Sequence, residues 1–412
     1  MLSDFFQSRA RIEALRDGPA GSRLESFARA LSEAGYATIT ARRHLRAAEH
    51  FVYWAHRHGL PVYRWNESFL ARFDRHLSRC HCPHYKHTKR LEVVHGARLF
   101  LTYPRDDRII TLRAAKPPAR DTALLSTFCQ WMRQQRGTCD VTLHNYRIYI
   151  RELLRRLGEE PSRFDAHRLR AFVLEKNRSC GWGTAQNCAN ALRMFLRFLI
   201  AQGQCSVGLD AAIPTLAHWP LASLPRYLSP EDVERLIASC DRASALGRRD
   251  RAILLLLARL GLRSSDIVHL RLSDIDWKNA SIQVCGKSRR PSRLPLTQEM
   301  GQAIVAYLKK GRPRVNLDAV FLCSCAPFRA FGSSCVVTKI VDKALRRAGV
   351  VRPSRGAAHL LRHSLATTLL RRGTSLEDIG AILRHSSIET TQIYAKVDVP
   401  SLKQIAQPWP EV

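Results

Sequence analysis

The 412-residue sequence is short of acid: 35 Asp plus Glu stand against 66 Lys plus Arg, a formal net charge of +31. Lysine is scarce too, at 12 against 54 Arg. There is no long apolar run. The most apolar stretch, Ala252 to Ala258, is far shorter than the roughly 20 residues that span a bilayer. The opening residues, MLSDFFQSRARIEALRD, lack the charged, apolar and cleavage regions of a signal peptide. The twelve Cys follow no regular framework and, without an export signal, read as reduced thiols, so no disulfide is expected. These absences exclude a membrane-spanning helical protein and a secreted disulfide scaffold, and the expectation is a cytoplasmic protein.

With 45% apolar and 25% charged residues, the chain can build ordinary cores, so its basicity is not that of a disordered tail. A folded surface this positive calls for a polyanion, and with the membrane set aside that is nucleic acid. Arginine forks suit bidentate phosphate contacts, although a GC-rich coding genome accounts for much of the skew toward Arg. Nucleoid association is the corresponding expectation.

Three segments separate by punctuation. Residues 1 to 115 end at Ala114-Ala115-Lys116-Pro117-Pro118, where two prolines enforce an extended connection. They carry 20 Lys plus Arg against 11 Asp plus Glu, which makes this N-terminal segment basic in its own right. The second segment, 116 to 205, reads as four helices, Leu124 to Arg136, Thr142 to Leu157, Asp165 to Lys176 and Gly183 to Gln202, each with apolar residues at helical spacing. A Pro, Ala and Gly-rich stretch, 206 to 226, reads as a linker. The third segment, 227 to 412, opens with Leu228-Ser229-Pro230-Glu231-Asp232, an N-cap Ser, a Pro at the first helical position and an acidic first turn. Within it, Ser281 to Val284 and Arg293 to Leu296 flank a basic turn containing Lys287, as a strand pair would. The expected fold is mainly α with a small antiparallel β-sheet. Segments one and two share a weak hairpin-like similarity that suggests duplication.

The chemistry-bearing residues cluster in the third segment. A helix over 249–260 should stop at Gly261, with Ser265 capping the next one, which puts Arg263 on a tight turn between two helices. His359 and Arg362 are three apart and share a helix face. Ser386 and Glu389 fit a capping box, so His385 should precede a helix that carries Tyr394 about two turns inside. Taken singly, an Arg on a basic surface is usually solvated and a Tyr at helical spacing is usually core.

The three stretches GLRSSDI, HLLRHSLATTLL and LRHSSIETTQIY, in that order, resemble the signature of the tyrosine recombinases, the phage integrase family. The match covers about residues 227 to 400, and segment two resembles the family's core-binding (SAM-like) domain. The resemblance implies a DNA-breaking and rejoining enzyme, with Arg263, Lys287, His359, Arg362, His385 and Tyr394 as its catalytic set. Metal-free phosphodiester cleavage needs a nucleophile, cationic donors on the nonbridging oxygens and an acid for the leaving oxygen. In that set Tyr394 is the nucleophile, forming a covalent 3′-phosphotyrosine. Arg263 and Arg362 clamp the phosphate oxygens, and Lys287, the one lysine between Lys278 and Lys309, protonates the departing 5′-oxygen. His359 takes or orients the tyrosine proton, and His385 hydrogen-bonds a phosphate oxygen. Two departures stand out: Arg384 occupies a position usually Gly in the family, where it could add a phosphate contact or crowd the site, and Leu360 occupies one often acidic.

The resemblance also implies double-stranded DNA as partner, a homotetramer exchanging C-terminal tails, related recombinases or DNA-bending accessory proteins, and integration, excision or transposition of a mobile element. A catalytically idle DNA-binding accessory protein and a type IB topoisomerase-like enzyme are the alternatives. No cofactor or metal is expected. Cys80, Cys82, His84 and His87 concentrate soft ligands, but Cys-x-Cys is not the usual zinc-knuckle spacing, so this segment reads as a basic DNA-facing or structural loop.

Overall fold

The computed structural model describes residues 2–61, 65–83, 85, 90–103, 121–217, 225–285, 291–351, 357–385, 387 and 389–397. The chain divides into two compact units, one made of residues 1–112 and 223–412 and the other of residues 113–222. The architecture is mainly α with one small antiparallel sheet.

In the first unit, the N-terminal part contains α1 (Arg9–Arg16), α2 (Gly21–Glu33), α3 (Thr38–Arg57), α4 (Glu67–Leu77) and α5 (Arg90–Thr102). Its core is aromatic-rich: Phe27, Phe51, Phe73 and Phe100 are fully buried. Phe51 and Phe73 meet edge to face at 5.3 Å, the arrangement aromatic quadrupoles favour.

The 113–222 unit packs α6 (Ala123–Arg136), α7 (Asp140–Leu157), α8 (Ala166–Ser179) and α9 (Trp182–Ala201) around one core. All four match the helices expected from periodicity to within a few residues. The stretch expected as a linker from 206 is different in its first part. Ile213 and Leu216 are buried in this core, and Arg193 on α9 donates to the carbonyls of Ile213 and Pro214 at 3.2 and 2.8 Å. Apolar residues at 213 and 216 hold that part of the chain against the helices. Residues 218–224 lie outside the described residues.

The remainder of the first unit starts with α10 (Pro230–Ala238), where the Ser229 hydroxyl accepts from the Asp232 amide as expected. The apolar run noted in the sequence is the middle of α11 (Ala245–Leu260), and Ala252 to Ala258 are all buried. A helix apolar all round is a central one, and each buried Leu there contributes about 1.5–3 kcal/mol. After α12 (Ser264–His269) come β1 (Ile275–Asp276), β2 (Ser281–Cys285) and β3 (Pro291–Pro295) in antiparallel order, with Ile282 opposite Leu294. Next follow α13 (Gln298–Lys310), α14 (Cys335–Arg347), α15 (Ala357–Arg371), α16 (Leu376–Leu383) and α17 (Glu389–Gln392).

Gly261 ends α11 in the left-handed region, φ +57°. A Cβ there would lie 2.7 Å from Leu383 Cδ2 and 3.1 Å from Leu365 Cδ2. Gly261→Ala therefore combines left-handed strain of about 1–2 kcal/mol with overpacking of about 1–3 kcal/mol. The expected outcome is a clear loss of stability in urea unfolding of the full chain, and an unchanged midpoint would contradict it.

Candidate active site

Arg263 sits on the turn between α11 and α12, as Gly261 implied. It is itself the N-cap of α12, and Asp266 accepts its backbone N–H at 2.9 Å. Ser265 lies inside the helix rather than capping it, because the carboxylate three residues on from Arg263 serves that end. The Arg263 guanidinium donates through Nη2 to the Arg384 carbonyl at 3.1 Å. Burial, then the Arg384 charge, lowers its pKa against the pull of Asp266.

Arg362 is buried on α15 and donates to two carbonyls, that of Gly261 at 2.5 Å and that of Leu383. These oxygens belong to the C-terminal ends of α11 and α16, where aligned peptide dipoles leave partial negative charge. Burial first, then Arg263, pushes its pKa down to about 10, so it remains a cation at neutral pH.

Tyr394 is buried, 1% exposed, with its ring among Ala366, Leu370, Ile379 and Leu383. The helix before it is shorter than expected: α17 covers only Glu389–Gln392, and Tyr394 follows in a turn, its N–H bonded to the Thr391 carbonyl at 3.0 Å. Thr390 and Thr391 are β-branched residues of low helix propensity. The expected cap Ser386 lies outside the described residues. Burial raises the phenol to about 12, opposed by Arg362.

The ring beside the phenol is His363, which the sequence reading did not single out. Its Nδ1 is 2.8 Å from the Tyr394 hydroxyl; with the ring proton on Nε2, it accepts the phenolic hydrogen. Burial, then His359 and Arg362, pushes His363 down to about 4. His359 lies one turn earlier on α15 and is exposed. The available signal was the i, i+4 spacing of the two histidines around Arg362.

His385 follows α16, with Nδ1 2.7 Å from the Thr391 hydroxyl, and burial, then Arg362 and Arg263, lowers it to about 4. Arg384, between Leu383 and His385, has φ +55°, which explains why glycine suits the position. Its Nη2 pairs with Asp266 Oδ2 at 2.7 Å, both side chains being nearly inaccessible, so its charge is already engaged. Lys287 lies outside the described residues. The described groups that converge are thus Arg263, Arg362, His363, His385 and Tyr394, with His359 at the edge. The four-residue group among the described residues that could hold a metal ion lies elsewhere, on α3, α4 and the segment after α4.

Two outcomes follow from this geometry. Arg384→Gly relieves about 1–2 kcal/mol of left-handed strain but leaves Asp266 buried without its cation, a loss of about 3–5 kcal/mol. A net destabilisation of about 2–3 kcal/mol is expected in denaturant unfolding, and a stabilised variant would refute the buried pair. His363 and His385 stay neutral in the folded chain down to about 4, against an ordinary 6.5. Their contribution is present in full above 6.5 and is lost as pH falls through that window, because the unfolded chain takes up the protons first. Thermal midpoints should therefore drop between about pH 6.5 and 5, less steeply in His385→Asn; parallel profiles would count against His385 as a source.

A family model described as the phage integrase family matches residues 226–400. A protein of Sinorhizobium fredii (strain NBRC 101917 / NGR234) named as integrase/recombinase y4rA is 35% identical over 402 residues, covering 96% of this chain and 95% of its own. Tyrosine recombinase XerD of Listeria innocua serovar 6a (strain ATCC BAA-680 / CLIP 11262) is 32% identical over 223 residues, 52% of this chain and 72% of its own. Among solved structures, XerH site-specific recombinase bound to palindromic difH substrate, a post-cleavage complex, matches at TM-score 0.54 and 18% identity over 81% of this chain and 93% of its own. A lambda integrase dimer bound to a COC′ core site matches at TM-score 0.52 and 17% identity over 70% of this chain and 79% of its own. The likeness to both structures shows a shared fold, and near full-length similarity to the Sinorhizobium protein shows the family. This chain belongs to the phage integrase family of tyrosine recombinases, which cleave and rejoin DNA through a tyrosine.

Proposed function

We propose that this chain is a site-specific recombinase that cuts one DNA strand with Tyr394, holds it as a 3′-phosphotyrosine and passes it to a new 5′-hydroxyl, serving a mobile element. The observation that carries the reading is the convergence of two arginine forks, two neutral imidazoles and one tyrosine hydroxyl on the ends of α11 and α16.

Tyr394 attacks phosphorus in line as the P–O5′ bond breaks, so one phosphodiester is exchanged for another and no external energy source is needed. Arg263 and Arg362 stabilise charge on the nonbridging oxygens. His363 receives or orients the phenolic proton, a role the sequence reading gave to His359, which stands one turn away. His385 hydrogen-bonds a phosphate oxygen, and Lys287 donates the proton to the leaving 5′-oxygen. The Tyr394 hydroxyl is buried against His363, so attack on a phosphate requires it to become exposed.

Residues 116–205 act as the core-binding domain and 227–412 as the catalytic domain, together clamping the duplex. The basic residues 1–115 contribute a further DNA or protomer contact. The active species is a homotetramer on two duplexes in the cytoplasm, associated with the nucleoid. Its tail exchange uses residues 397–412, of which 398–412 lie outside the described residues. Double-stranded DNA as partner is supported by the solved relatives, which are recombinases bound to DNA.

Covalent protein–DNA adducts trapped in cells and sequenced test the reading. The native chain should carry DNA joined at Tyr394 and clustered at specific sites, whereas Tyr394→Phe should carry none while binding DNA with the same steep salt dependence. Arg263→Lys should slow adduct formation on the order of 10²–10³-fold. Equal recovery from the native and Phe chains would remove Tyr394 as nucleophile, and adducts spread without site preference would favour topoisomerase-like relaxation.

A further inference from the structure

The N-terminal part of the first unit brings together four soft ligands from separate places in the sequence. His50 is on α3, His76 is in the last turn of α4, and Cys80 and Cys82 follow α4. One ligand atom from each lies within 4.8 Å of the other three. We propose that His50, His76, Cys80 and Cys82 form a closed, structural zinc site that clips the chain after α4 onto α3.

The spacing within the cluster supports a single ion. Zinc bonds of about 2.3 Å to sulfur and 2.0–2.1 Å to nitrogen at tetrahedral angles place S and N ligands about 3.5 Å apart. Cys80 Sγ to His50 Nε2 is 3.5 Å, and Cys82 Sγ to His76 Nε2 is 3.3 Å. The Cys82 backbone N–H donates to Cys80 Sγ at 3.4 Å, the kind of outer contact that orients a thiolate ligand. The imidazoles are held in place by neighbouring rings. His50 stacks on Tyr85 at 4.3 Å and meets Phe73 edge-on at 5.0 Å, and His76 lies 6.1 Å from both Trp54 and Phe73.

Two thiolates and two imidazoles make a neutral site with a divalent ion, and softness selects zinc over magnesium, calcium or manganese. Four protein ligands leave no open position, which is the mark of a structural rather than catalytic site. The ligand set differs from the local cluster seen in the sequence: Cys80 and Cys82 are kept, and the two imidazoles come from α3 and α4. His84 and His87 lie outside the described residues. The unremarkable reading, two independent thiol–imidazole hydrogen bonds, accounts for the two short contacts but not for all four atoms sharing one small volume.

The test uses the full chain, purified without added metal. Elemental analysis should find about one zinc per chain, lost in His50→Ala and Cys82→Ser and retained in His81→Ala and Cys139→Ser. Cobalt(II) added to chelator-stripped protein should give the visible absorption of a tetrahedral thiolate centre. Because a ligand variant can fail to fold, thiol labelling of the native chain provides a second readout. Cys80 and Cys82 should resist alkylation until a strong zinc chelator is added, while exposed Cys139 labels throughout. Labelling of Cys80 and Cys82 independent of chelator, zinc content unaffected by the ligand variants, or a Cys80–Cys82 disulfide in the purified chain would overturn the proposal.

Discussion

The site is organised by one buried cation. Arg362 sits where α11 and α16 both end, and its guanidinium bonds the last carbonyl region of each, at Gly261 and Leu383. Burying a guanidinium carries a heavy desolvation cost. Here it is offset by carbonyls that helix formation leaves without intrahelical partners and by the negative ends of two helix dipoles. The same contacts fix both helix ends relative to α15. Arg263, two residues past Gly261, then reaches the Arg384 carbonyl, one residue past Leu383. The two guanidinium groups are thereby tied to one pair of helix ends.

The two cations also shape the other groups. Arg362 and Arg263 disfavour a proton on His385, and Arg362 does the same to His363, adding to burial. The site consequently combines permanent positive charge with imidazoles that are neutral and able to accept a proton, a division suited to phosphoryl transfer, where charge stabilisation and proton movement are separate tasks. The buried phenol remains protonated at neutral pH, and its hydroxyl is bonded to His363. The short segment after α16 is held by His385–Thr391 and by the packing of the tyrosine ring.

Much of this was legible locally. Gly261 after an apolar helix announced the turn that carries Arg263, and periodicity announced the four helices of the second unit. What escaped was set by tertiary contact. His363 reads as an ordinary helical residue until Tyr394 is placed beside it, 31 residues on. The helix expected to run two turns to Tyr394 covers only Glu389–Gln392, and the ring of Tyr394 packs against α15 and α16. The partner of Arg384 was invisible for a like reason: Asp266 lies 118 residues away. The soft-ligand cluster was legible only in part: Cys80 and Cys82 stood out by their spacing, whereas His50 and His76 come to them only by folding.

The acid shortage that distinguishes the sequence now acquires a structural meaning. Even if every one of the 35 carboxylates paired with a different cation, the net charge of +31 would remain unmatched within the chain. Of the described arginines of the site, Arg384 is matched by Asp266 and Arg362 is out of solvent. Most of the surplus therefore lies with cations outside this cluster. Duplex DNA offers one charge per about 1.7 Å, so a surplus of this size corresponds to the phosphates along about 50 Å of helix. Attraction on that scale holds a duplex without reading its sequence, so charge on the surface and the buried cluster of Arg362, His363 and Tyr394 are separate features of the chain, one suited to long-range attraction and the other to local contact.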